Sequence, residues 1–198
     1  MAAMKMRLEE TSEYLCLPYA PERRPDGVNH GYFDLKRHPR HIGEVTELYG
    51  WPELEDMVRA ANHRESLFRT LGCEVVVMDF DDDRLKKRLV SYVDIAFEIL
   101  SLNGEKENYH HLFRRFEEVA TPFQLPGNLS ILFEICPTYF AVHQFQGWRA
   151  TLWNAGIGRT DTEARAAWHL GVEVFKHFIS TESAQWKDLL RRGFKTIS

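Results

Sequence analysis

Within residues 129–135 Ile131, Phe133 and Ile135 fall on one side of an extended chain and Ser130 and Glu134 on the other, and further on the chain meets its clearest helix start, at Thr160. Alternation with period two marks strands with one face on a core, whereas the residues after Thr160 repeat with the three-four spacing of a helix. A sheet feeding directly into a long amphipathic helix points to an α+β fold. Three strands are predicted, over residues 129–135, 139–145 and 148–153, joined at Cys136-Pro137 and at Gln146-Gly147, where glycine tolerates positive φ. Thr160 and Glu163 form the pattern of a capping box. Behind it Ala164, Ala167, Trp168, Gly171, Val172, Phe175, Phe178 and Ile179 share one face, and a last short helix is predicted over residues 182–192.

Upstream, Pro52 suits the first position of a helix, where its missing N–H costs nothing, and Leu54, Met57, Val58 and Ala61 supply an apolar face. This helix is expected to run over residues 52–70 and to close at Gly72. The β-branched run at residues 74–80 reads as a buried strand. Residues 83–102 carry Leu85, Leu89, Tyr92, Ala96 and Leu100 on one stripe and are predicted to form a central helix. A further helix over residues 105–120 puts Tyr109, Leu112, Phe113, Phe116 and Ala120 on one face and stops before Pro122. The expected fold is thus α+β, with an antiparallel sheet made of a three-stranded meander plus one further strand and backed by four to five helices. Residues 1–45 are expected to form a proline-rich irregular segment and residues 46–198 a single α+β domain. That segment holds Pro18, Pro21, Pro25 and Pro39, and it is expected to wrap the surface or to mediate self-association.

The net charge of −4 offers no general field for nucleic acid or an anionic membrane. The C-terminal cations Lys187, Arg191, Arg192 and Lys195 suit the negative end of a last helical turn. Three scattered cysteines, Cys16, Cys73 and Cys136, read as reduced thiols. With no apolar run near the roughly 18 residues of a membrane span and no leader at the N-terminus, the cytoplasm is the expected compartment.

Few residues gather into a chemistry. Asp79, Asp81, Asp82 and Asp83 follow a strand, and carboxylates there can hold a hard cation, so Asp79 and Asp81 are metal candidates. The segment resembles the first motif of haloacid-dehalogenase-type phosphatases, but Asp82-Asp83 stands where that family has Gly-Thr. Capping of the following helix by Asp82 and Asp83 is the preferred reading. His38 and His41, with His30 nearby, have ligand-like spacing without a third ligand at a recognised distance. Gly156 and Gly158 are read as serving a loop that needs positive φ. With the two turns above, Ser130 lies beside His143 and Glu134 beside Tyr139. One sheet face then carries Ser130, Glu134, Tyr139, His143 and Trp148 as a ligand-binding set, and Ile131, Phe133, Ile135, Phe140 and Val142 pack on helices.

Residues 105–179, in the order α-β-β-β-α with the alanine-rich helix opening at Gly156 to Ala167, resemble a double-stranded-RNA-binding domain. In that family closely spaced lysines at the helix start contact phosphates. The matching positions here hold Asp161 and Thr162, which leaves Arg159 and Arg165 as the nucleic-acid candidates. The leading expectation is a non-catalytic binding or regulatory protein that meets a protein or small molecule through the aromatic sheet face. A metal-dependent enzyme at Asp79 and Asp81 and a divergent RNA-binding-like module are the alternatives. No cofactor is expected.

Overall fold

A computed structural model describes residues 5–12, 14–24, 27–29, 31–82 and 85–191, with the backbone alone at 5, 23–24, 27–29, 79–82, 85–86 and 189–191. The elements are β1 (Lys5–Glu10), β2 (Leu15–Leu17), β3 (Glu22–Arg24), β4 (Gly27–Asn29), α1 (Pro52–Ala61), β5 (Phe68–Asp82), β6 (Leu85–Phe97), α2 (Lys106–Ala120), β7 (Leu129–Phe140), β8 (Phe145–Gly158) and α3 (Asp161–Arg191). Six of the strands form one mixed sheet in the order β1-β7-β8-β6-β5, with β2 following β1 along the same edge of β7. β1 and β2 run parallel to β7, and the other pairings in this sheet are antiparallel. β3 and β4 form a separate hairpin.

The α+β class stands, but the sheet is not a three-stranded antiparallel meander plus one strand, and among the described residues three helices rather than four or five carry more than two turns. The largest correction is at residues 83–102. Leu85–Phe97 is a strand, β6, paired along its length with β5. Helical spacing of Leu89, Tyr92 and Ala96 coincides there with a period-two set, Leu89, Ser91, Val93, Ile95 and Phe97, all of it buried. β-branched and aromatic residues facing the Val75-Val76-Val77 run decide for the strand. Asp82 therefore belongs to a strand and caps no helix, and Asp83 lies outside the described residues.

α1 ends at Ala61, not at residue 70, because buried Asn62 turns the chain. Its amide donates to Val58 O at 2.8 Å and to Thr70 Oγ1 at 2.6 Å, while Thr70 N–H donates to its Oδ1 at 3.1 Å. Cys136-Pro137 and Gln146-Gly147 are not turns. β7 runs straight through Pro137, and the chain reverses instead at residues 141–144, where Gln144 takes φ 49°. Pro137 is tolerated for a visible reason. Ile135 O accepts from Thr11 N–H at 3.1 Å, so the backbone polar groups of residue 137 face the same outer edge. There β1 has ended at Glu10 and β2 begins only at Leu15, so no donor is called for. Residues 105–179 accordingly have two long strands between their helices, not three. The segment expected to be irregular contributes the β1–β2 edge and the β3–β4 hairpin.

All three helices lie on one face of the sheet. Ile131, Phe133 and Ile135 of β7 and Val93, Ile95 and Phe97 of β6 meet Tyr109, Leu112 and Phe116 of α2 and Val172, Phe175 and Phe178 of α3. Phe116 stacks on Phe175 at 5.0 Å and meets Phe178 edge-on at 5.3 Å. The expected faces of α2 and α3 are the buried ones, and the predicted last helix is the end of a continuous α3. Its start is capped as expected: Glu163 N–H donates to Thr160 Oγ1 at 3.2 Å, and the Glu163 carboxylate reaches back to Arg159 N–H at 2.8 Å.

Gly156 and Gly158 lie within β8, and neither needs positive φ. They provide clearance. A Cβ on Gly156 would strike the Ala164 carbonyl and the Trp168 backbone of α3, and one on Gly171 would strike Asn154 of β8. Asn154 donates to Trp168 O at 2.7 Å across this contact, and the Trp168 indole donates to Ser91 Oγ at 2.8 Å. A Gly156→Ala variant is expected to lose about 2–3 kcal/mol of stability by overpacking. Gly43→Ala, with nothing within 4 Å of the added carbon, is expected to stay within about 0.5 kcal/mol; urea denaturation of both variants checks the contrast.

Candidate functional site

With every helix on one side, the other face of the sheet is left to the strands and the N-terminal segment. Register defines its rows. One row runs Arg7–Leu132–Trp153–Tyr92–Glu74 across β1, β7, β8, β6 and β5. Toward the tip of the β5–β6 hairpin follow Ser130–Ala155–Val90–Val76 and then Ile157–Arg88–Met78. On the opposite side of the aromatic row lies Glu9–Glu134–Thr151–Asp94–Gly72.

The last of these rows is covered at Thr151 and Asp94, and Asp94 belongs to a buried ion pair. Arg149 Nε lies 3.2 Å from Asp94 Oδ1, with the two side chains 4% and 10% exposed. Arg149 Nη1 donates to Pro137 O at 3.2 Å and to Thr138 Oγ1 at 3.3 Å. Thr151 donates to Asp94 Oδ1 at 2.5 Å and stands 3.5 Å from Cys136 Sγ. The cover is the chain around β2. Leu17 packs with Leu71, Ala96 and Phe140, flanked by Tyr19, Tyr32 and Phe145. The Tyr19 hydroxyl donates to Leu71 O at 3.0 Å, and it fits because residue 72 is glycine: a Cβ there would stand 3.1 Å from Tyr19 Oη. Gly72 thus marks a strand irregularity and not a helix end. Burial raises the Tyr19 phenol, and the Asp94 carboxylate raises it further. The Tyr92 phenol is raised by the same two causes in the same order. Burial also pushes the Cys136 thiol up to about 11.

The aromatic row is half-open. Tyr92 and Trp153 lie with ring centroids 5.0 Å apart, and the Trp153 indole donates to Glu134 Oε2 at 2.9 Å. Leu132 and Val90 are partly exposed beside them, and Val76 and Met78 are exposed. Apolar and aromatic atoms therefore form a strip across four strands, with carboxylates at Glu74 and Glu134 on its margins.

Of the five residues expected to share a sheet face, Ser130 and Glu134 lie on this helix-free face. Tyr139 and Trp148 fall on the helix side, and Trp148 lies under Lys106 Nζ at 5.1 Å. His143 is exposed in the reversal at residues 141–144. The shift of both turns re-pairs Ser130 with Ala155, Glu134 with Thr151 and Tyr139 with Gln146. Ile131, Phe133 and Ile135 do pack on helices, whereas Phe140 lies on the other face and Val142 is 73% exposed. Tyr92 and Trp153 were missed because β6 reads as helical and because a turn at residues 146–147 assigns β8 to the wrong register. The usable signal was the period-two series Arg149, Thr151, Trp153, Ala155.

Arg159 is exposed ahead of α3, and Arg165 is bound to Glu53 at 3.2 Å and lies over the Trp51 ring. Asp79 and Asp81 belong to β5 near the hairpin tip, and their side chains lie outside the described residues. His38 and His41 stack on each other at 5.2 Å, and His30 lies outside the described residues. Among the described residues no group of three or more His, Cys, Asp and Glu is arranged to hold a metal ion, and no helix is long and apolar enough to cross a membrane. No family model, curated protein or solved structure matches the chain.

Two outcomes are expected from the buried network. Arg149→Met strands the Asp94 carboxylate and should cost about 3–5 kcal/mol, most of it recovered in Asp94→Leu/Arg149→Met, as equilibrium unfolding would report. Iodoacetamide at pH 8 should label exposed Cys16 first and leave Cys136, which has no exposure and little thiolate, unmodified until the chain unfolds; peptide mass spectrometry reads the order.

Proposed function

We propose that this chain is a non-catalytic binding protein whose helix-free sheet face receives an apolar protein segment with basic flanks. The row Leu132–Trp153–Tyr92, continued by Val90, Val76 and Met78, is the observation that supports this reading. A contiguous, partly exposed apolar strip across a sheet is a common mark of an interaction surface. Aromatic rings contribute disproportionately there, because they bury large area with little loss of side-chain freedom. Charge bears on the partner: Glu74 is exposed at the β5 end of the strip and Glu134 half-exposed beside Trp153, while Asp94 is neutralised by Arg149, Arg7 at the β1 end is paired with Glu9, and Arg88 stands beside Met78. Basic side chains flanking an apolar segment complement that pattern.

Trp153 can report on binding, with Trp153→Phe as the control that separates it from the other four tryptophans. Titration with an alternating Leu-Lys peptide should change tryptophan emission and saturate, whereas a Leu-Glu peptide of equal length should bind at least tenfold more weakly. Leu132→Asp should abolish the response with the fold retained by circular dichroism. Equal binding of both peptides, or a full response in Leu132→Asp, counts against this reading.

A further inference from the structure

On the helix side, between residues 35–42 and the C-terminal end of α1, lies a cavity of about 340 Å³. Its floor includes Leu35 and Ile42, both buried, and its walls carry Lys36, Arg59, His63 and Arg64. No carboxylate lines it. Its basic side chains stand beside carboxylates that do not line it, with Glu55 paired to Arg59 and Glu65 acting on Arg64 and His63.

The four basic side chains play different parts. Lys36 is fixed: its ammonium donates to the carbonyls of His63 at 2.9 Å, Ser66 at 2.7 Å and Phe68 at 2.7 Å. All three of its N–H bonds are engaged, so it contributes charge and not a hydrogen bond. Burial pushes it down to about 8, which leaves it protonated at neutral pH. Arg59 holds Glu55 through Nε at 2.9 Å and Nη2 at 2.5 Å, and Nη1 is the remaining nitrogen of its fork. His63 Nδ1 accepts from Glu65 N–H at 3.4 Å, which assigns the ring proton to Nε2 as a donor. Arg64 is exposed and makes no ion pair among the described residues. Donors therefore come from Arg59, His63 and Arg64, with the Lys36 charge behind them.

We propose that this cavity binds a small organic phosphate, its phosphate group held at the rim by Arg64, His63 and Arg59 and its apolar body resting on Leu35 and Ile42. The volume lies within the range of about 300–1,000 Å³ typical of small-ligand sites. Phosphate is favoured over carboxylate because separate side chains supply the donors: a tetrahedral dianion accepts from several directions, while a carboxylate is satisfied by one planar guanidinium. The site is independent of the sheet face, so it stands or falls apart from the partner proposed there.

Phenyl phosphate carries both halves of such a ligand. Calorimetric titration of the full chain at low ionic strength is expected to show one site, with inorganic phosphate and benzoate each at least tenfold weaker. Arg64→Glu and Arg64→Gln should weaken phenyl phosphate binding at least tenfold and about fivefold respectively. Arg114→Glu, an exposed change on α2 outside the cavity, should leave it within twofold. Absence of binding, undiminished binding in both Arg64 variants, or an equal loss in Arg114→Glu overturns the site. Inorganic phosphate binding as tightly shows that the apolar floor is idle, benzoate binding as tightly shows that the phosphate is not read, and either result overturns the ligand class.

Discussion

The close seating of α3 on β8 governs the rest of the molecule. Gly156 and Gly171 remove the side chains that would hold helix and strand apart, and Asn154 and Trp168 join them by hydrogen bonds. At that separation the aromatic side chains of α3 reach those of α2, and Phe116 is gripped between Phe175 and Phe178. Interiors pack to crystal-like density, so such a contact leaves little room for variation. It also commits the sheet to one covered face. α1 and α2 find their apolar stripes satisfied beside α3 and have no reason to cross to the other side.

The helix-free face then has to be managed by shorter means. At one end the chain around β2 covers it, and the charge buried beneath, Asp94, is matched by Arg149 and by the Thr151 hydroxyl. Such a pair adds little net stability compared with apolar side chains of the same size, but it does fix partners. Arg149 reaches both Pro137 O and Asp94, and so ties β7, β8 and β6 together at the point where Pro137 cannot donate. Beyond this covered end the aromatic row is left half-open, bounded by Glu134 on one side and Glu74 on the other. A half-open aromatic row and a buried ion pair thus lie side by side on one sheet face, two residues apart along each strand.

Local patterns were legible wherever neighbours in sequence also decide the outcome. The faces of α2 and α3, the Thr160–Glu163 cap and Pro52 at the start of α1 all depend on residues within one or two turns, and they stand as read. Leu85–Phe97 did not, because its apolar residues satisfy the helical and the extended period at once; the choice belongs to β5 and β8, which pair on either side of it. At the candidate site, Glu134 and Ser130 were legible from alternation alone. Tyr92 and Trp153 were not, since their meeting depends on a register set by a reversal at residues 141–144. A one-residue displacement sends every side chain to the opposite face.

By itself the amino-acid sequence determined the α+β class, the apolar faces of the helices, the cap of α3 and the strand character of residues 129–135 and 148–153, because these follow from the stereochemistry of adjacent residues. Tertiary structure alone decided that β1 and β2 join β7 in parallel, that Pro137 lies inside a strand, that Gly156 and Gly158 give clearance to a helix, and that Arg149 meets Asp94. Each of these is a contact between distant segments, and its free energy exists only once the whole sheet has assembled.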